Sequence, residues 1–103
     1  MVVEDKSIMV GQSDGKVFVK IMGRGMGSNS QTLKDFAARM MNEKYFSFTI
    51  DFEKCTIIDS TFIGTLLSIN NALETKGYKN AIELINLSSA NIRTLEMIGV
   101  TRF

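Results

Sequence analysis

Residues 46–75 read FSFTIDFEKCTIIDSTFIGTLLSINNALET, and a change of hydrophobic period along this stretch decides the fold. Phe46, Phe48, Ile50 and Phe52 alternate with Ser47, Thr49 and Asp51, the period of two expected of a strand with one buried face. From about Thr61 to Thr75 the period becomes helical: Phe62, Leu66, Ile69 and Leu73 share a stripe, flanked by Ile63 and Leu67. Gly77 then stands at the C′ position, where glycine ends helices. Lys54 to Asp59 reads as a connector that carries the apolar pair Ile57-Ile58.

Working outward, Ala81 to Leu87 is a further strand, and Ser88-Ser89-Ala90-Asn91 opens a last helix with Ile92, Leu95, Met97 and Ile98 as its apolar residues, closed by Gly99. Upstream, Ser7 to Val10 is a weak strand and Lys16 to Met22 a stronger one. The turn signal in Gly11 to Gly15, ending in Asp-Gly, makes the two an antiparallel hairpin. Gly23 to Ser30 reads as a loop, with Ser28, Asn29 or Ser30 available to cap a helix over about Gln31 to Asn42. Leu33, Phe36, Ala37, Met40 and Met41 form the apolar stripe of that helix. The expected order is β-β-α-β-α-β-α, an α/β fold with an N-terminal antiparallel hairpin followed by parallel strands and right-handed crossovers. Partners of open α/β sheets bind at the C-terminal ends of the parallel strands. Residues 23–30, 58–61 and 86–91 meet there.

Composition narrows the chemistry. The chain has 103 residues, enough for one domain, with 45% apolar and 22% charged residues, as in soluble globular proteins. Twelve basic and 11 acidic side chains give a net charge of +1, which provides no steering toward nucleic acid or an anionic membrane. There is no histidine, which removes imidazole bases and histidine-ligated metals. The single Cys55 excludes an internal disulfide, fits a reducing cytoplasm and reads as a small buried hydrophobe. No apolar run approaches a membrane span, and MVVEDKSIMV is not the start of a signal peptide.

Two segments at the C-terminal edge invite a chemical reading. Gly23, Gly25 and Gly27 follow a strand, but a dinucleotide fingerprint needs its third glycine three residues after the second. Asp59-Ser60-Thr61 stands at a helix start, where all three side chains can accept from free backbone N–H groups. Capping is one account of it. A covalent switch at Ser60 is the other: a phosphate there meets unpaired N–H groups and the positive end of the helix dipole, and adds about −1.5 to −2 charge. A hydrolytic role for Ser60 lacks an activating histidine.

Residues 56–67, TIIDSTFIGTLL, closely resemble the signature of STAS-domain anti-sigma factor antagonists, in which an Asp-Ser-(Ser/Thr)-Gly-Leu-Gly segment begins a helix after a central strand. The resemblance implies one STAS domain over residues 1–103, with a STAS-like mixed sheet and helices packed against it, lacking the family's last strand and helix. It implies Ser60 as phosphoacceptor, with Thr61 the alternative hydroxyl, Asp59 as the acidic neighbour and Gly64 as the second glycine. The implied partners are a serine protein kinase that is also an anti-sigma factor, and a serine phosphatase. The chain would then be cytoplasmic, would catalyse nothing and would need no cofactor or metal.

The partner surface expected on this basis comprises Asp59, Thr61, Phe62, Arg24, Met26, Ser28 and Asn29. Phe62 stands where the family has its first glycine, and is either a core residue or an exposed contact. The family's Gly-Glu-Leu-Asp segment reads Gly23-Arg24-Gly25-Met26, with both acids gone, which implies a partner unlike a standard anti-sigma kinase. A second reading makes the chain a STAS accessory subunit of a membrane transporter, and a third makes it a small nucleotide-binding domain. Retention of Asp59-Ser60-Thr61 favours the phosphorylation switch.

Overall fold

Every strand alternation above reappears in the computed structural model, which describes residues 6–97. The elements are β1 (Ile8–Ser13), β2 (Lys16–Ile21), β3 (Gly23–Gly25), α1 (Gly27–Asn42), β4 (Phe48–Asp51), β5 (Cys55–Ile58), α2 (Ser60–Thr75), β6 (Ile82–Ile85) and α3 (Ser89–Met97). The main sheet has the order β1-β2-β4-β6. β1 and β2 form the antiparallel hairpin, and β2, β4 and β6 run parallel, as expected. The hairpin turns on Asp14 and Gly15 alone, because both take positive φ (52° and 78°), the backbone that a tight two-residue turn requires. β1 therefore runs on to Ser13 rather than stopping at Val10.

The sequence expectation needs correction in two places. Gly23 to Ser30 is not one loop, and Lys54 to Asp59 is not a bare connector. Their first halves pair with each other as a two-stranded parallel sheet, β3 with β5, in the register Gly23↔Cys55, Arg24↔Ile57 and Gly25↔Ile58. Gly23, at φ 87°, turns the chain out of the main sheet as β2 ends. The Thr56 hydroxyl donates to the Gly23 carbonyl at 2.9 Å and ties the small sheet at that end.

One face of the main sheet is covered. Val17, Val19, Ile21, Phe48, Ile50 and Ile82 point into a core completed by Leu33, Phe36, Ala37 and Met40 of α1 and by Phe62, Ile63, Leu66, Ile69 and Leu73 of α2. Phe52 meets Phe62 edge-on, with ring centroids 6.4 Å apart. On the other face Met9 and Phe18 are exposed, although parallel strands are usually buried on both sides. α2 ends as expected: Gly77 takes φ 94°, Gly77 N–H donates to the Glu74 carbonyl and Tyr78 N–H to the Leu73 carbonyl, a Schellman closure.

α3 differs from its reading. Leu95 is buried, but Ile92 and Met97 are exposed, and Asn91 is the residue turned inward, its amide donating to the Cys55 carbonyl at 3.3 Å. Ile98 and Gly99 lie outside the described residues. Cys55 is buried, as read, and its thiol donates to the Ile57 carbonyl at 3.4 Å. Burial pushes its pKa up. Cys55 should therefore react slowly with a disulfide reagent at neutral pH and stoichiometrically in denaturant; fast native labelling would contradict this packing.

Candidate functional site

The edge formed by the β3–α1 and β5–α2 junctions is built around Asp59. Its backbone N–H donates to the Gly25 carbonyl at 2.9 Å, which extends the β3–β5 ladder by one bond. Asp59 is the N-cap of α2, and its Oδ1 accepts from the Phe62 N–H at 2.8 Å. Its Oδ2 accepts from the Gly27 N–H, at the start of α1, at 3.1 Å. One carboxylate thus satisfies donors at the N-termini of two helices, neither of which has an acidic residue in its first turn.

Glycine makes this closeness possible. A Cβ on Gly25 would lie 2.8 Å from Ile58 Cγ2 and 3.1 Å from Phe62 Cδ1. A Cβ on Gly27 would lie 3.4 Å from Thr61 Cγ2. The bulky ring at the resemblance's glycine position is therefore accommodated beneath Gly25, whose own side chain is missing. Phe62 is fully buried, which settles the alternative left open above in favour of the core and removes it from the expected partner surface.

Asn29 is also corrected. It is buried at 4% exposure, so it is neither a surface contact nor an N-cap. It sits at the third position of α1, where its Oδ1 accepts from the Met26 N–H at 2.9 Å and its amide donates to the Arg24 carbonyl at 2.7 Å and to Ser7 Oγ at 2.9 Å. Met26 holds the N-cap position, and the helix begins at Gly27, four residues before the expected start. Ser28 and Ser30 lie inside the helix; Ser30 is buried and donates to the Gly27 carbonyl.

Ser60, Thr61, Arg24 and Ser28 are exposed, while Asp59 and Met26 are half-buried. Ser60 is the first residue of α2. The first i→i−4 bond of that helix is made by Ile63 to the Asp59 carbonyl, so the Ser60 and Thr61 N–H groups precede the helical ladder. Both hydroxyls are exposed, with the Thr61 methyl beside Gly27.

The third segment of the edge joins through side chains that the sequence reading missed. Asn86 donates to Asp51 Oδ1 at 3.0 Å, at the adjacent C-terminal ends of β6 and β4, and the Glu53 N–H donates to the same oxygen at 2.9 Å. These bonds, the Asn86 bond first, hold the Asp51 carboxyl below its usual range. The only signal for the Asn86 bond was an asparagine just past a strand, in the left-handed conformation (φ 58°) that asparagine tolerates. Among the described residues no group of histidine, cysteine, aspartate and glutamate could hold a metal ion. The Gly23–Gly27 segment is a strand followed by a helix start.

The fold and this edge together define a STAS-like domain with an exposed serine at the first position of α2. The fold is shared with the Thermotoga maritima protein tm1081, at TM-score 0.81 and 16% identity over 95% of this chain and 83% of that one. It is shared with the anti-sigma factor antagonist SpoIIAA in its unphosphorylated form, at TM-score 0.73 and 16% identity over 89% of this chain and 83% of that one. SpoIIAA of Bacillus in its phosphorylated form superposes equally well, at TM-score 0.73. Mglu also carries the fold, at TM-score 0.66 and 12% identity, but this chain spans only 20% of its length. No family model matches the chain, and no curated protein matches it by sequence.

Three substitutions test this packing. Gly25→Ala should lower stability by about 1–3 kcal/mol in urea unfolding, because Ile58 and Phe62 must give way. Gly64→Ala, whose Cβ meets nothing within 4 Å inside a helix, should raise it by about 0.5–1 kcal/mol. The Asp51 carboxyl is lowered in the folded state, so its contribution is present above the unfolded pKa and is lost as pH falls through the folded value. Asn86→Gly should therefore flatten the rise of stability between strongly acidic and mildly acidic pH; an unchanged acid limb would show that this bond carries no linkage.

Proposed function

We propose that this chain is a phosphorylation-switched regulatory binding protein of the anti-sigma factor antagonist type. Its unphosphorylated form binds a serine-kinase/anti-sigma partner, and phosphorylation at Ser60 releases that partner. The observation that carries the reading is the exposed Ser60 hydroxyl at the first position of α2, on an edge immobilised by Asp59. Likeness of fold to SpoIIAA in both phosphorylation states supports it.

The physical mechanism is a change of surface charge. The partner's kinase site transfers the γ-phosphoryl group of ATP to Ser60 Oγ: the new P–O bond forms as the bond to ADP breaks, and the hydroxyl proton leaves to a base of the kinase. The product carries about −1.5 to −2 charge on a surface that the complex must desolvate. Burying that charge without a matching cation costs several kcal/mol, so affinity falls. A serine phosphatase restores the hydroxyl. Exposed Arg24 replaces an acid of the resemblance on the strand beside Asp59, so the partner's facing surface is acidic at that point.

The test is the intact mass of the chain from its native host, with peptide mapping of any phosphate, followed by partner capture with Ser60 variants. Ser60→Ala should lose the phosphate and retain the partner, while Ser60→Asp should weaken capture by on the order of tenfold or more. Phosphate on Thr61 would move the residue and keep the mechanism. An unmodified chain in every growth state, with both variants capturing equally, would overturn the reading.

A further inference from the structure

β1 is an edge of the main sheet, and its sequence does little to protect it. Natural edge strands are blunted by charge, proline or shortness. The opposite edge, β6, has four residues and an exposed Glu83. β1 has six, Ile8 to Ser13, and none is charged or proline. Clefts flank it on both faces. One, of about 300 Å³ on the open face, is lined by Met9, Gly11, Phe18 and Ile85 among others. The other, of about 170 Å³ on the helix face, is lined by Val10, Gly11, Gln12, Phe36 and Met40. A strand added to β1 would place its side chains alternately on these two faces.

We infer that this edge pairs with the same edge of a second copy, antiparallel about a two-fold axis with Val10 opposite Val10. Backbone geometry allows this register, and side-chain shape selects it among the registers in which outward groups meet outward groups. Met22 N–H donates to the Ser7 carbonyl at 2.7 Å, which makes 7, 9, 11 and 13 the positions bonded to β2. The N–H and C=O groups of Ile8, Val10 and Gln12 therefore face outward. Val10 opposite Val10 brings Ile8 opposite Gln12, so outward groups meet outward groups.

The same register is complementary in shape and charge. Met9, 57% exposed, falls opposite Gly11 of the second copy, where an added Cβ would meet nothing within 4 Å. The largest exposed side chain of β1 thus faces its one notch, twice over. Just beyond each end of the paired strands lie exposed Lys6 of one copy and exposed Asp14, in the hairpin turn, of the other. Six residues a side are far fewer than the roughly 20–30 of a standard interface, so the dimer is weak and reversible, with a dissociation constant on the order of 100 µM. This pairing is independent of the Ser60 reading, since Ser60 lies on α2 and not on this edge.

Sedimentation equilibrium of the full chain up to about 1 mM tests it, with a reversible monomer–dimer equilibrium expected. Val10→Pro removes an outward donor without touching the β2 ladder, and should weaken dimerisation at least about tenfold. Gly11→Val fills the notch, and its Cβ meets nothing within 4 Å of its own chain, so it keeps the test valid if the proline variant unfolds. A mixture of Met9→Cys and Gly11→Cys chains should form a disulfide between the two variants on oxidation, faster than either alone. A monomer at every concentration would overturn the proposal. A dimer indifferent to both Val10→Pro and Gly11→Val would also overturn it, because the contact would lie elsewhere.

Discussion

The carboxylate of Asp59 is the constraint on which the functional edge depends. Two helix N-termini converge on it, and two positive dipole ends brought together repel unless a negative charge lies between them. Neither helix brings an acid of its own in its first turn. Asp59 supplies the acceptor to both, while its backbone N–H locks onto Gly25. The small sheet of β3 and β5 sets the separation of the two helix starts, and the acid joins them across that separation. The local capping account and the functional account of Asp59-Ser60-Thr61 are therefore not rivals. Capping by Asp59 gives Ser60 a fixed position.

Phe62 shows how a departure from a family pattern is absorbed. A glycine at that position would leave the space under β3 empty, and a phenylalanine fills it only if the strand above offers no side chain. Gly25 meets that condition, with its missing Cβ within 3.2 Å of the ring. Phe52 then stacks edge-on against the same ring and carries the packing into the end of β4. The substitution enlarges the core instead of the surface, so Ser60 keeps its exposure despite a bulky neighbour two residues on.

How much of this was legible in the sequence depends on the length of the signal. The alternation of Phe46 to Phe52 and the stripe from Phe62 to Leu73 span enough residues for their periods to show; the stripe folds as read, and the alternation holds although the strand itself, β4, covers only Phe48–Asp51. β3 and β5 are three and four residues long, too short to display a period, and β3 is two-thirds glycine. Only pairing with each other makes them strands, and pairing across some 30 residues leaves no local trace. The start of α1 was hidden for another reason. Met26 is not a capping residue type, and Asn29 works from inside the helix by reaching back to Met26 N–H and Arg24 O. Asn91, read only as part of a helix start, turns inward to satisfy the buried Cys55 carbonyl. Tertiary bonds decided the small sheet and Asn91, and a local bond from inside the helix decided the start of α1.

The geometry also determines what kind of switch a phosphate at Ser60 would be. Both oxygens of Asp59 are engaged with backbone donors, whereas Ser60 faces solvent beside N–H groups that precede the helical ladder. In the free chain a phosphate gains about 0.3–1 kcal/mol from the helix end and loses part of it to the like charge of Asp59. The two terms are of similar size, so the fold is left nearly as stable as before. In a complex the same group must shed water over a close-packed surface at a cost of several kcal/mol. The difference between those two situations falls almost wholly on affinity. On the proposed switch, modification would therefore release a partner without unfolding or reshaping the domain, and its removal would restore binding without a refolding step.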